Sequence, residues 1–176
     1  MYVSGFLLAL VSVMGSSAQY LKGRPVFNKD VLSESAKTLV NSEEADKFAL
    51  ASLKESNIRA YKDFTRFFKN ASDIRLSTTT SGIFVSCMMD GIRNRVSYNS
   101  KGRWIHTIRH YGEQRLPSDV GNLVKGEYPG FAIFGVTEVN VGNKKAHLVS
   151  IENSHSWKRI KVVDGEMEVY EAYDKH

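Results

Sequence analysis

The sequence contains one cysteine, Cys87, among 176 residues. A single cysteine excludes an internal disulfide, so the fold must be stabilised by its core alone. Cys87 lies in the alternating stretch IFVSCMMD, a setting typical of a small buried hydrophobic residue. A cysteine nucleophile would need a nearby histidine and an electropositive pocket, and the sequence indicates neither. We therefore predict that this thiol is not catalytic.

Long hydrophobic runs are also absent. The first eighteen residues carry no charge, but their apolar stretch covers only Phe6 to Met14, well short of the roughly 20 residues that a membrane helix needs. The small residues Ser16 and Ala18 follow it, as in a secretory signal peptide. We expect residues 1–18 to be a signal peptide, the mature chain to lack a membrane span, and the protein to be periplasmic or secreted.

Sequence motifs of common enzymes and metal sites are missing. We find no phosphate-binding loop, dinucleotide fingerprint or G-x-S-x-G elbow. His106 and His110 fall four residues apart on one predicted strand, so their Cα atoms would lie about 13 Å apart, too far to share a metal. Glu166 and Glu168 share the outward parity of a strand and are expected to be solvated. The sequence therefore predicts no catalytic residue, no metal site and no cofactor.

Positive charge is in modest excess. The 24 Lys and Arg residues outnumber the 19 Asp and Glu residues, for a net charge of +5, which favours the approach of acidic partners. Nucleic-acid-binding proteins usually gather such charge into a stripe. Here the basic clusters WKRIK and RNR are interleaved with apolar residues of predicted strands, so we predict no nucleic-acid partner.

The chain then divides into a lead-in and an α+β region. Residues 19–41 contain Gly23 and Pro25 and are predicted to be extended. From residue 42 the pattern is helical, with Asn41 as the N-cap, while a break near Ser56-Asn57 is left open. The firmest helical face consists of Ala60, Phe64, Phe67, Phe68 and Ala71.

After Asn70 the apolar period changes to two, which predicts four strands with short turns. A shorter helix in LPSDVGNLVKGEY and four more strands repeat this order, and the hairpin RVSYNSKGRWIHTIRHY is echoed by RIKVVDGEMEVYEAY. We predict an α+β fold, a tandem repeat of one helix plus a four-stranded antiparallel sheet. The domain would cover residues 42–176, with repeats at about 42–112 and 113–176, whose sheets either join edge to edge or face the same way.

Four stretches carry a family resemblance: FTRFFKNASDI, VSYNSKGRWIHT, LPSDVGNLVKGEYPG and IKVVDGEMEVYEA. Over roughly residues 57–173 the chain resembles the PepSY-like, β-lactamase-inhibitor-like (BLIP-like) domain of secreted and periplasmic Bacteroidetes-type proteins. The resemblance implies a helix plus four-strand repeat and a binding or inhibitory role without catalysis. Because fold does not imply function, it does not predict inhibition of a β-lactamase.

The best candidate site is an open sheet face that carries arginine and tyrosine, the side chains that often anchor interfaces. Strand parity predicts that one exposed face presents Arg93, Arg95, Arg103, Arg109 and Tyr111. We predict a protein or peptide partner, acidic or extended, on this face. Two alternatives stay open: a cone-like NTF2/cystatin-like domain that binds a small ligand or acts as an enzyme, and an envelope protein that assembles through its sheet edge.

Overall fold

The computed structural model describes residues 31–175, with side chains from residue 42 onward. The predicted signal peptide lies outside the described residues, as does the lead-in up to residue 30. Ala36–His176 form one compact unit.

Two consecutive helices precede the sheet: α1, Val31–Ser56, and α2, Ile58–Phe67. The helix therefore begins at Val31, and the predictions of an extended segment up to residue 41 and of an N-cap at Asn41 are wrong. The stretch VLSESAKTLVN holds neither glycine nor proline, the two residues that oppose helix formation most strongly. No helix within residues 31–175 combines the length and apolar character required to cross a bilayer.

The break between the helices, left open from the sequence, lies at Asn57. Its backbone is extended, and its side-chain oxygen accepts hydrogen bonds from the N–H groups of Arg59 and Ala60. This is an N-cap, which satisfies donors that a new helix leaves unpaired. The chain therefore ends one helix and starts another at a single asparagine.

All eight predicted strands are confirmed. They are β1 (Ser72–Thr78), β2 (Gly82–Met89), β3 (Ile92–Asn99), β4 (Trp104–Tyr111), β5 (Ala132–Val141), β6 (Lys144–Glu152), β7 (Ser156–Val163) and β8 (Glu166–Asp174). Between β4 and β5 a 3-10 turn, Glu113–Arg115, leads into helix α3, Ser118–Glu127. Helix α3 starts directly after Pro117, at the predicted position.

The strands form one antiparallel sheet in the order β1 to β8. The predicted fold class, a tandem repeat of one helix plus a four-stranded sheet, is wrong because β4 pairs directly with β5, from His106↔Val141 to Tyr111↔Val136. Pairing satisfies the backbone groups that two separate sheets would each leave at an edge. The predicted boundary near residue 112 therefore falls in a connection within one continuous sheet.

Two hydrophobic clusters lie on the same side of this sheet. The first joins Leu53 of α1, Ala60 and Phe64 of α2, and the inward side chains of β1, β2 and β3, including Cys87. The second joins Val120 and Val124 of α3 to β5, β6 and β7. Each cluster is covered by helix, as the apolar stripes predict. The opposite side of the sheet carries no helix among the described residues.

Candidate binding surfaces

The sheet has two faces with different surroundings. Residues paired across neighbouring strands point to the same face, so the register assigns each side chain. Val85 and Val96 are partners within the first cluster, and they mark the helix side. Arg95 and its partner Ile108 point the other way, and they mark what we call the helix-free face.

The helix-free face presents Arg93 and Arg95 of β3. Arg93 donates to the carboxylate of Asp73 on β1 at 2.7 Å, and this hydrogen bond is the main cause that lowers the pKa of Asp73. Arg95 is exposed and has no acidic partner within 4.0 Å among the described residues. Arg95 is therefore the freer of the two cations.

The centre of the helix-free face contains two half-buried histidines. His106 lies 2.9 Å from the Ser97 hydroxyl, and His110 lies 3.1 Å from the Thr137 hydroxyl. Burial lowers the pKa of both imidazoles, and the charge of Arg95 lowers that of His110 further. Both rings are consequently neutral at physiological pH and act as hydrogen-bonding groups within the sheet.

An aromatic patch occupies the β5–β8 end of the helix-free face. Its members are Phe134, Trp157 and Tyr173, whose ring centroids are 6.4 Å apart for Phe134 and Trp157 and 5.4 Å apart for Trp157 and Tyr173. The guanidinium of Arg159 lies 5.1 Å from the Trp157 ring and also pairs with Glu171 at 2.9 Å. Phe134 and Tyr173 remain 50% and 62% exposed. A cluster of exposed aromatic residues next to an arginine that is fixed by an ion pair has the composition of an interaction surface.

The structure does not bring the five predicted residues together. Arg93 and Arg95 are on the helix-free face, whereas Arg109 and Tyr111 point to the helix side, where Arg109 is the partner of Asn94. Arg103 lies in the turn before β4, against α2. The predicted single face is therefore wrong as a geometric arrangement.

A β-bulge in β4 explains the error. The register passes from Ser97↔His106 to Tyr98↔Trp104, which leaves Ile105 without a partner. Because side chains alternate with period two, one extra residue reverses the parity of everything after it. Trp104 faces the helices as predicted, but Ile108 faces away from them and Arg109 faces towards them.

On the helix side, one polar row crosses the sheet between the two hydrophobic clusters. The polar row consists of the register partners Asn94, Arg109, Glu138 and His147, on β3 to β6. Asn94, Glu138 and His147 are buried and Arg109 is half-buried. A buried row of this kind is costly unless its groups are paired.

Glu138 is the centre of the polar row. Its carboxylate accepts hydrogen bonds from the Tyr111 hydroxyl at 2.7 Å, the Asn140 amide at 2.8 Å and the Arg109 guanidinium at 3.2 Å. Burial alone would raise the pKa of Glu138, but these hydrogen bonds and the charges of Arg109 and Lys145 hold it below the ordinary value. Glu138 is therefore a buried, fully ionised carboxylate at neutral pH.

Three atoms of the polar row have no hydrogen-bond partner among the described residues: Asn94 Oδ1, Arg109 Nε and His147 Nε2. His147 Nε2 lies 3.8 Å from the Glu138 carboxylate, too far for a hydrogen bond. Burial lowers the pKa of His147 despite the opposing attraction of Glu138. The row therefore retains unused hydrogen-bonding capacity.

Sequence reasoning missed both the aromatic patch and the polar row. The signal for Glu138 was present, because Glu138 follows Phe134 and Val136 at a spacing of two and so places a charge on an apolar parity. The aromatic patch had no such signal. Phe134 is the extra residue of a bulge between Ile133 and Gly135, and its position next to Trp157 depends on the register of β5, β6 and β7, which no local pattern encodes.

Comparison with known proteins finds similarity in structure only. No protein-family model and no curated protein matches the chain. Solved structures from Bacteroides do match. A BLIP-like protein of Bacteroides fragilis NCTC 9343 aligns with 67% of this chain and 85% of its own, with a TM-score of 0.53 and 16% identity.

Two further structures agree. A DUF2874 family protein of Bacteroides uniformis ATCC 8492 aligns over 66% of this chain and 87% of its own, with a TM-score of 0.52 and 16% identity. A protein of Bacteroides eggerthii DSM 20697, provisionally named periplasmic, aligns over 66% and 86%, with a TM-score of 0.51 and 16% identity. The BLIP-like resemblance predicted from the sequence is thus confirmed at the level of fold, whereas the PepSY-like part of it stays a prediction.

Proposed function

We propose that this chain is a non-catalytic binding protein of the periplasm or the extracellular space, which recognises a protein or peptide partner on its helix-free face. The observation that carries the proposal is the aromatic patch, since exposed Phe134 and Tyr173 flank Trp157 on the side of the sheet without helices. Aromatic residues supply much of the binding free energy of protein interfaces.

The charges on the same face support an acidic partner. Arg95 is exposed and has no acidic partner within residues 42–175, and Arg93 lies two residues away on the same face. Exposed cations raise association rates with acidic surfaces more than they raise affinity. Arg109 and Tyr111 are engaged by Glu138 on the helix side, so the proposed surface keeps Arg93 and Arg95 and replaces the other predicted residues with the aromatic patch.

Export also belongs to the proposal. The uncharged leader MYVSGFLLALVSVMGSSA supports a signal peptide over residues 1–18, and one structural neighbour is provisionally named periplasmic. Expression of the full chain in a Gram-negative host, followed by cell fractionation and N-terminal sequencing, is expected to give a periplasmic protein that begins at Gln19. A cytoplasmic protein with an intact N-terminus would contradict export.

A pull-down with matched variants tests the binding surface. The double substitution Phe134→Ser with Tyr173→Ser removes the exposed rings of the patch. The control, Phe48→Ser with Phe67→Ser, also replaces two exposed aromatic rings by serine, on the helices, at residues that are 76% and 60% exposed. We expect envelope proteins captured by the wild type to be lost with the first variant and kept with the second, as counted by quantitative mass spectrometry.

The expected loss in affinity for a captured partner is at least about tenfold for the double variant, because removal of an interface aromatic commonly costs more than about 1 kcal/mol. Arg95→Glu should slow association and make it less dependent on salt. Equal capture by the wild type and the patch variant would contradict the proposed face, provided that circular dichroism shows both to be folded.

A second candidate function is the binding of a small polar molecule at the polar row. Its support is the set of atoms on Asn94, Arg109 and His147 that have no hydrogen-bond partner in the part of the chain that the structure describes, because native proteins rarely leave such groups unsatisfied. A ligand that raises the melting temperature of the wild type, but not of an Asn94→Leu variant, is the expected result. An equal rise in both proteins would place the ligand elsewhere.

A further inference from the structure

A basic groove lies on the helix side, between α2 and the turn that joins β3 to β4. Its volume is about 530 Å³, and its lining residues are Arg59, Lys62, Asp63, Arg66, Gly102, Arg103 and Trp104. The four basic residues of this set are all exposed. Two separate segments of the chain thus place their cations around one opening.

The cations of the basic groove outnumber the acidic residue that lines it. Among the described residues, none of them has a carboxylate within 4.0 Å, although Asp63 lines the same groove. Elsewhere in the molecule Arg93, Arg109 and Arg159 are paired with acidic side chains. An excess of unpaired like charge destabilises the folded protein through repulsion, and a bound anion would relieve it.

Asn57 links the two walls of the basic groove. Its Oδ1 caps α2, and its Nδ2 donates to the Ser100 carbonyl oxygen in the β3–β4 turn at 3.3 Å. Gly102 approaches so closely that an added Cβ would lie 2.1 Å from Asn57 Oδ1. The helix and the turn are therefore fixed relative to each other, which reduces the ordering cost of binding.

A buried hydroxyl lies beside the acidic residue of the groove. Tyr98 is fully buried, and Trp104 is its neighbour across the sheet. Burial raises the pKa of Tyr98, and the charge of Asp63 and a hydrogen-bonding interaction with its carboxylate raise this pKa further. The Tyr98 hydroxyl is therefore directed at Asp63, the acidic residue that lines the groove.

We propose that the basic groove binds an extended peptide segment with carboxylates at alternate positions, presented by a partner protein. Lys62 and Arg66 are four residues apart on α2, which is about 6 Å along the helix axis. Alternate side chains of an extended peptide are about 6.6 Å apart on one side. Two carboxylates of such a segment can therefore face the two cations at once, with a third near Arg103 or Arg59.

The chemistry of the groove favours a peptide over a single phosphate group. One phosphate would engage one or two of the cations and leave the others unpaired, whereas an acidic strand extends along the row. Trp104 offers an apolar wall for the methylene groups between the acids. The site is separate from the helix-free face, because Trp104 and α2 lie on the other side of the sheet.

Fluorescence anisotropy tests this proposal. The probe, called the alternating peptide, is a labelled nine-residue serine peptide with glutamates at positions 3, 5 and 7. The comparison peptide has the same length and net charge, with its three glutamates at positions 1, 5 and 9. We expect Lys62→Gln with Arg66→Gln to weaken binding of the alternating peptide by about fivefold, since an exposed ion pair contributes about 0.5 kcal/mol and the variant removes two.

The control variant is Arg115→Gln with Lys158→Gln, which removes two basic residues outside the groove. It should bind the alternating peptide within about twofold of the wild type. Equal weakening by both double variants would show general charge attraction and overturn the proposal, as would equal affinity for the two peptides.

Tryptophan emission gives a second readout. In a Trp157→Phe background, Trp104 is the remaining tryptophan, and the alternating peptide is expected to shift or quench its emission. Unchanged emission at saturating peptide would overturn binding in this groove. Trp157 belongs to the aromatic patch, so this background tests the two surfaces separately. Loss of the envelope partner with an intact peptide response would show that the helix-free face and the basic groove bind independently of each other.

Discussion

Gly102 occupies a position that disfavours any side chain for two reasons. Its φ of +70° is a left-handed conformation that L-residues adopt at a cost, and an added Cβ would meet Asn57 Oδ1 at 2.1 Å and Asn57 Cγ at 2.7 Å. Gly142 has a similar φ of +61°, but nothing lies within 4 Å of its Cβ position. Alanine at Gly142 would therefore introduce backbone strain alone, whereas alanine at Gly102 would introduce both backbone strain and a steric clash.

We predict that Gly102→Ala lowers the free energy of unfolding by about 2–4 kcal/mol, whereas Gly142→Ala lowers it by about 1 kcal/mol. The difference measures the displacement of the Asn57 cap. Urea denaturation monitored by circular dichroism checks both values, and equal losses would show that the turn moves away from α2 without cost.

Glu138 provides the negative charge and the hydrogen-bond acceptor at the centre of the polar row. Its ionised carboxylate is the acceptor for Tyr111, Asn140 and Arg109 together. An amide in the same place would turn one oxygen into a donor that faces other donors. An exposed glutamate, Glu168, pairs with Lys161 and offers the same chemical change in water.

Glu138→Gln is expected to lower the free energy of unfolding by about 2–4 kcal/mol, because it leaves buried donors and the Arg109 charge unsatisfied. Glu168→Gln should cost no more than about 1 kcal/mol, as is usual for exposed ion pairs. Thermal and urea unfolding provide the measurement. Comparable small effects in both variants would mean that the polar row is accessible to water.

At the scale of elements, Asn57 defines both the end of α1 and the start of α2. Sequence pattern alone left this break undecided, since both helices carry helix-forming residues on either side of it. The decision comes from the pairing of Asn57 with its own helix and with Ser100 of the distant turn. The long-range half of that pairing is invisible in a local pattern.

We predict that Asn57→Ala destabilises the protein by about 1–2 kcal/mol through loss of the cap. Asn57→Asp keeps the capping oxygen but loses the Nδ2 donor to Ser100, so it should cost less than the alanine variant. Hydrogen exchange of the α2 amides distinguishes the two, and an aspartate variant as unstable as the alanine variant would assign the effect to the turn contact rather than the cap.

Several buried groups in this protein have pKa values that are shifted downwards in the folded state. Burial lowers the pKa values of His106, His110 and His147 from 6.5. The pKa of Glu138 is lowered despite its burial, by the hydrogen bonds and cations around it. A lowered pKa in the folded state means that the unfolded chain binds the proton first, so protonation favours unfolding.

Stability is therefore expected to be greatest above about pH 6.5 and to fall as the pH decreases towards 5, with a slope of at most about 1.4 kcal/mol per pH unit for each histidine. Below about pH 4.5 the loss of the Glu138 contribution adds to the decline. Unfolding free energies measured between pH 8 and 4 check the direction. A stability that rises on acidification through pH 6 would contradict neutral, buried imidazoles.

The periodicity of side chains determined much of this protein. Eight strands, their turns at Gly102 and Gly165, helix α3 after Pro117 and the burial of Cys87 all follow from local alternation and turn chemistry. These features are encoded locally because a strand or helix requires its apolar residues at a fixed spacing. The BLIP-like fold was accordingly within reach of the sequence.

The way in which these elements combine depends on contacts between residues that are far apart in the chain. The union of the strands into one sheet depends on β4 pairing with β5 across a helical connection, and the side to which Arg109 points depends on the bulge at Ile105. The alternation of side chains along each strand is compatible with one sheet or two, and with either orientation of Arg109. This is because neither the pairing of distant strands nor a single unpaired residue changes the periodicity of the sequence. The positions of the aromatic patch and the basic groove follow from these two choices.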